Sequence, residues 1–168
     1  MIGFNVSEAG HVVNLIPPVD GNAGAPVTCQ RFSMKGWDHV SIIVQLGVTA
    51  GTPTSILLSA YTAVSGGTRT AIGFRYYSQT TAGTSNDVLS TPTVVAATGI
   101  TTISGNDNIF YTIELDSPEL EAVVNGGGSE SPYLQLEVTM PSSSNLVSAV
   151  AILSAGRQQY QSNATVCV

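Results

Sequence analysis

The feature that most limits how this chain can fold is a two-residue rhythm. Along 38–48, Val40, Ile42, Val44, Leu46 and Val48 share one parity, and His39, Ser41, Ile43, Gln45 and Gly47 share the other. Successive side chains of an extended chain point to opposite faces, so this pattern is a strand with one side in a core. The rhythm returns where Ile109, Tyr111, Ile113 and Leu115 oppose Asn108, Phe110, Thr112, Glu114 and Asp116. It returns again where Leu134, Leu136, Val138 and Met140 oppose Tyr133, Gln135, Glu137 and Thr139. Nowhere does a helical i, i+3, i+4, i+7 stripe last for three turns.

Strands are therefore expected at 11–16, 27–34, 38–48, 55–64, 70–78, 92–103 with a break, 108–116, 133–140 and 146–155. Turn signals separate them: AGTP at 50–53, SGG at 65–67, TAGTSND at 81–87, SGND at 104–107 and NGGGSESP at 125–132. Strands with one core face each suit an all-β fold, an antiparallel two-sheet sandwich of jelly-roll type. The run 146–155 departs from the rule, with Val147, Ala149, Ala151 and Leu153 on one side and Leu146, Val150 and Ile152 on the other. It reads as a central strand flanked by a loop, or as a strand whose outer face meets another subunit. One helical turn is expected in SPELEAVV (117–124), with Ser117 as cap and Pro118 at the first helical position.

The opening residues 1–18 lack the basic start and unbroken apolar stretch of a secretory signal, because Asn5, Ser7, Glu8, His11 and Asn14 interrupt them. Phe4, Val6, Val12, Val13, Leu15 and Ile16 alternate with polar groups, and Pro17-Pro18 forbids a continuing helix. The expectation is an extended N-terminal arm, 1–18, followed by a single domain, 19–168, in a chain of 168 residues. Such an arm can add as an edge strand to a neighbouring subunit or lie in a groove of a partner.

Charged residues make up only 10% of the chain, against about 25% in an ordinary soluble domain. Net charge is −6, and the basic residues Arg31, Lys35, Arg69, Arg75 and Arg157 are scattered, which argues against nucleic-acid binding. Polar residues cut every apolar run well short of the roughly 18 residues of a membrane span, so no membrane partner is expected. Cys29 and Cys167 match neither a CxxC pair nor a zinc site; two reduced thiols and a bridge pinning the C-terminal tail both remain open.

Signs of catalysis are absent from the sequence. His11 and His39 carry no metal-ligand spacing, and Asp38 and His39, adjacent on a strand, point to opposite faces. GGGSES at 126–131 is no nucleophile elbow, and neither a P-loop nor a dinucleotide fingerprint occurs. Glu114, Asp116, Glu119 and Glu121 lack calcium-loop spacing and read as a solvated acidic edge. The sequons at Asn5 and Asn163 matter only in a secreted eukaryotic protein. No enzyme, cofactor or metal is expected.

The alternation does place Trp37, Tyr61, Tyr77, Phe110 and Tyr133 on outward faces. Outward aromatics on a surface so poor in charge suggest area that is buried on assembly. The interface candidates are Phe4, Val12, Val13, Leu15, Ile16, Trp37, His39, Tyr61, Tyr77, Phe110 and Tyr133. A carbohydrate-binding platform of a phage fibre or an adhesin would use the same aromatics and is the alternative.

GFNVSEAGHVVNLIPPVD (3–20), FSMKGWDHVSIIVQLGV (32–48), NDNIFYTIELD (106–116) and YLQLEVTMPSSSNLVSAVAILSAGRQQYQ (133–161) resemble small proteins encoded beside the major capsid protein of tailed bacteriophages. That family is similar to the head-decoration, or cement, proteins, several of which adopt a jelly roll. The resemblance implies a structural protein on the outer surface of a capsid, assembled in the host cytoplasm, that bridges major capsid protein subunits. It transfers a role and a fold and no active residues. A homo-oligomer, trimer or dimer, is expected, because capsid symmetry axes favour matching symmetry in whatever sits on them.

Overall fold

Nearly every alternating run becomes a strand in the computed structural model, which describes residues 6–21, 25–79, 89–101, 103, 108–117, 133–141 and 145–156. One helical turn, α1 (Val6–Ala9), leads into β1 (Gly10–Asp20), β2 (Pro26–Thr28) and β3 (Phe32–Ser33). Then come β4 (Trp37–Thr49), β5 (Ser55–Tyr61), β6 (Arg69–Ile72), β7 (Phe74–Gln79) and β8 (Thr93–Val95). The last three are β9 (Ile109–Asp116), β10 (Tyr133–Thr139) and β11 (Asn145–Gly156).

The strand order is that of one long hairpin rolled on itself. β1 pairs with β11, β2 and β3 with β10, β4 with β9, and β5 with β6, all antiparallel. Rolling brings β11 against β4 and β10 against β5, which closes two sheets. The six-stranded sheet runs β1-β11-β4-β9-β7-β8, and the five-stranded sheet runs β2-β10-β5-β6 with β3 also on β10. This is the jelly-roll arrangement, with β7 and β8 extending the larger sheet.

The inward parity builds the core. Val40, Ile42, Val44 and Leu46 of β4, Leu134, Leu136 and Val138 of β10, and Ile109, Tyr111, Ile113 and Leu115 of β9 are all buried. So are Val147, Ala149, Ala151 and Leu153 of β11, the side of that strand that needs no partner subunit.

Several elements differ from the sequence expectation, each for a local reason. The arm does not leave the domain: Gly10–Asp20 is the edge strand of the chain's own larger sheet, paired with β11. Register shifts between Asn14 and Ile16 and between Ile16 and Val19 let consecutive Leu15 and Ile16 both turn inward. Val13, Leu15 and Ile16, expected at an interface, are core residues instead. Pro17 and Pro18 sit exposed in this strand, tolerated because an edge has one side with no ladder to donate to.

The expected strand 70–78 breaks at Gly73 and changes sheet there, β6 lying in the smaller and β7 in the larger. A Cβ on Gly73 would stand 2.6 Å from the Val95 carbonyl, so only glycine lets the chain turn this corner. The run 27–34 is two short pieces on β10, and 92–103 is β8 followed by a bridge from Ile100 to Ile56. That bridge depends on Gly99, whose φ is 69° and whose Cβ would strike the Ile56 carbonyl.

Val48 lies exposed past the last core pair of β4. Buried Asn145 ties three segments together: its amide donates to Asp20 Oδ1 at 2.9 Å, and its carbonyl accepts from Gly21 at 2.9 Å. Its side-chain oxygen accepts from the Gly51 amide at 3.4 Å. The expected turn at 117–124 falls, apart from buried Ser117, outside the described residues, as do 126–131, Asn5 of the first sequon, the whole of the second, and Cys167.

Two outcomes follow for stability. Leu136→Ala, a fully buried truncation, is expected to cost about 2–5 kcal/mol in urea unfolding, whereas exposed Val94→Ala stays within about 0.5 kcal/mol. Deleting residues 1–18 removes most of β1 and three core side chains, so circular dichroism of the truncated chain is expected to show an unfolded or aggregated product. A truncated chain that melts like the parent contradicts the assignment of β1.

Candidate docking face

The strand registers fix which outward side chains are neighbours on the larger sheet. One row runs Val12, Ile152, Ser41, Glu114, Arg75 and Val94. The next runs Asn14, Val150, Ile43, Thr112 and Tyr77, and a third Ser148, Gln45, Phe110 and Gln79. Beyond the first row lie Gly10, Ser154, His39 and Asp116. At about 4.8 Å between strands and about 6.8 Å between rows, the face measures about 24 Å by 20 Å.

Its middle carries Val150, Ile152 and Ile43, its charged groups gather at one corner, and Asn14, Ser148, Gln45 and Gln79 line the other side. Ile43, Val150, Ile152, Tyr77 and Phe110 are half-buried, and Val12 is 52% exposed. Tyr77 and Phe110 thus stand outward as the alternation predicts.

At the polar corner, His39 on β4 is held between two carboxylates of β9. Its Nδ1 lies 2.7 Å from Asp116 Oδ1 and its Nε2 2.6 Å from Glu114 Oε2. The Ser41 hydroxyl donates to the same Glu114 oxygen at 2.8 Å. An imidazolium donates from both nitrogens, which is what two facing acceptors ask for. Burial pushes the His39 pKa down, but the hydrogen bond to Asp116 and the charge of Glu114 outweigh it, and the value rises above the ordinary 6.5.

Ser41 Oγ is also 3.2 Å from His39 Nε2, so serine, histidine and aspartate stand in the order of a hydrolase triad. The hydrogen bonds run differently from a triad's: the Ser41 hydroxyl donates to Glu114 Oε2, and that same carboxylate oxygen lies 2.6 Å from the Nε2 that would have to take the proton. Glu114 and Asp116 sit on opposite ring nitrogens and do not converge on one point. Among the described residues no group of three or more His, Cys, Asp or Glu is placed to hold a metal ion, and no helix is long and apolar enough to cross a membrane.

The smaller sheet presents a different outward surface, where Tyr61 lies opposite Tyr133 on β10 and Arg69 on β6. Tyr61 is only 8% exposed, because Arg31 lies over its ring, 3.5 Å from the centroid. The guanidinium donates onward to the carbonyls of Ala63 and Gly66, which folds the 62–67 turn over the sheet. Arg69 donates to Ser59 Oγ at 3.0 Å and reaches Glu137 at 3.5 Å. A sugar cannot stack on the side of Tyr61 that the guanidinium covers.

The remaining expected interface residues scatter. Trp37 packs on the core and stacks with His11, ring centroids 6.3 Å apart. Tyr133 is half-buried on the smaller sheet, and Phe4 lies outside the described residues. Val12, His39, Tyr77 and Phe110 share the larger sheet's outer face; Tyr61 and Tyr133 are on the other sheet. A groove is lined by Asn14, Leu15 and Pro17 of β1 together with Thr28 and Gln30.

No protein-family model and no curated protein matches the chain. Among solved structures it is similar to that of infectious bursal disease virus, Gt strain, at 10% identity and a TM-score of 0.24, over 94% of this chain and 43% of that one. So low a TM-score carries no argument about what this chain does.

Arg31→Met keeps the aliphatic stem and removes the charge over Tyr61. It is expected to lose about 1 kcal/mol in thermal or urea unfolding. An unchanged midpoint would show that the guanidinium adds nothing to the fold of this turn.

Proposed function

We propose that the chain is a structural virion protein that decorates the outer surface of a phage capsid and stabilises the head by bridging major capsid protein subunits. The observation that carries this reading is the outward face of the larger sheet, where Ile43, Val150, Ile152, Tyr77 and Phe110 lie together beside a corner in which His39 is held between two carboxylates, in a chain of net charge −6. It agrees with the resemblance of the sequence to head-decoration proteins.

The manner of docking is by face. Both edges of the larger sheet discourage strand addition: β1 carries two prolines and two register shifts, and β8 is three residues long and follows Pro92. This favours side-chain contact over the strand exchange that the arm suggested. A face of about 500 Å² falls below the roughly 800 Å² per partner of an ordinary stable interface, so a single contact is weak. Repetition over a symmetric shell, with the protein acting as a dimer or trimer, supplies avidity without further contacts. The role is mechanical and needs no active residue.

The test is to mix the purified protein with undecorated heads assembled from the coat protein encoded by the same genome, then sediment and image them. Binding at repeated symmetry positions is expected. Ile43→Asp, placing a charge in the middle of the face, should weaken it about tenfold or more, with circular dichroism checking that the variant is folded. Heads that remain bare, or a folded Ile43→Asp chain that binds as tightly as the parent, sink the reading.

A further inference from the structure

We propose that Arg75 anchors the docking face and that the partner surface meets it with a carboxylate. This rests on the function proposed above and deepens it, by naming the chemical group that a capsid surface must present at that point.

The placement of Arg75 carries the inference. It stands on the outward parity of β7, in register with Glu114 of β9 on one side and with Val94 of β8 on the other. Tyr77 is the next outward residue along the strand, and Gly73, two residues before, has no side chain to cover the guanidinium. Arg75 is exposed, and Val94 beyond it is 79% exposed. A partner that covers Val94 and Tyr77 therefore covers Arg75 as well.

Among the described residues Arg75 makes no hydrogen bond, ion pair or ring contact. Its register neighbour Glu114 is engaged on the side away from it: Oε2 accepts from the Ser41 hydroxyl at 2.8 Å and lies 2.6 Å from His39 Nε2, both on β4. Arg31 and Arg69 differ from Arg75 in being committed within the chain, the first over the Tyr61 ring and the second to Ser59 and Glu137. Lys35 stands in the turn between β3 and β4, away from this face.

Docking by the face then sets a requirement. A guanidinium holds its charge at every pH a protein tolerates, so it cannot escape the cost of leaving water by giving up a proton. A charge withdrawn from water without a counter-charge opposes the association that buries it. A carboxylate matches the planar fork with two parallel N–H···O bonds, and apolar neighbours such as Val94 and Tyr77 exclude the water that would weaken them. The net charge of −6 does not forbid such a contact, because charges farther apart than about 8 Å are largely screened at physiological salt. A partner surface that offers no anion leaves Arg75 unpaired and is rejected, so the same residue also selects among surfaces.

The test compares the parent with Arg75→Gln and Arg75→Lys in sedimentation with undecorated heads. The heads are either untreated or have their surface carboxylates capped as amides with carbodiimide and an amine. Circular dichroism checks that the variants are folded, and microscopy that the capped heads are intact. On untreated heads Arg75→Gln is expected to bind about thirtyfold more weakly than the parent, with Arg75→Lys, which keeps the charge and loses the fork, in between. On capped heads the parent is expected to lose that advantage and bind like Arg75→Gln. Equal binding of the parent and Arg75→Gln to untreated heads overturns the anchor and leaves the decoration role standing. A parent that keeps its full advantage on capped heads overturns the partner carboxylate, since the acceptor then lies elsewhere. Untreated heads left bare by the parent overturn the decoration role and the anchor together.

Discussion

The structure depends on the fact that a strand cannot choose the two faces of its side chains independently. Burying one parity in a core sends the other parity outward, residue by residue, along the whole strand. In this chain the inward parity of β4, β9, β10 and β11 is almost entirely withdrawn from solvent. A one-residue slip would expose that set and bury charged groups in its place, so register is held strongly wherever the two sheets share the core. The rolled hairpin is then the arrangement that lets each strand pair with a sequence-distant partner while keeping one common interior.

The outward parity is the part left to function, and here the two sheets differ. The smaller sheet spends its outward groups on the chain itself, with Arg31 over Tyr61 and Arg69 on Ser59. The larger sheet lays Ile43, Val150 and Ile152 beside Tyr77 and Phe110 and closes its polar corner on itself through His39. A patch whose apolar side chains lie together and whose carboxylates are hydrogen-bonded is where a chain of net charge −6 can approach another protein with a small electrostatic penalty. Fold and proposed role thus share one cause: the same alternation that fills the core also lines up the face.

Much of this was legible in the sequence because periodicity reports direction. The inward sets at 38–46, 109–115 and 134–140, and the two-sided character of 146–155, follow from parity alone. What parity cannot report is which strand lies beside which. His39 is 75 residues from Glu114 and 77 from Asp116, and only the β4–β9 register makes them neighbours. The signal available was that Ser41 and His39 share one outward parity and Glu114 and Asp116 another, without any sign that the two strands pair. Leu15 and Ile16 were misread for a related reason: a bulge turns consecutive residues to the same side, which strict alternation forbids. Gly73 hid a change of sheet inside what looked like one strand, since a corner leaves no mark on the apolar pattern except the glycine itself.

The most direct measurement is oxidative footprinting of the protein bound to undecorated heads, read by mass spectrometry at individual aromatic residues. The account predicts that Tyr77 and Phe110, on the outer face of the larger sheet, lose reactivity on binding while Tyr133, on the other sheet, does not. Protection at Tyr133 with Tyr77 and Phe110 still reactive would contradict it.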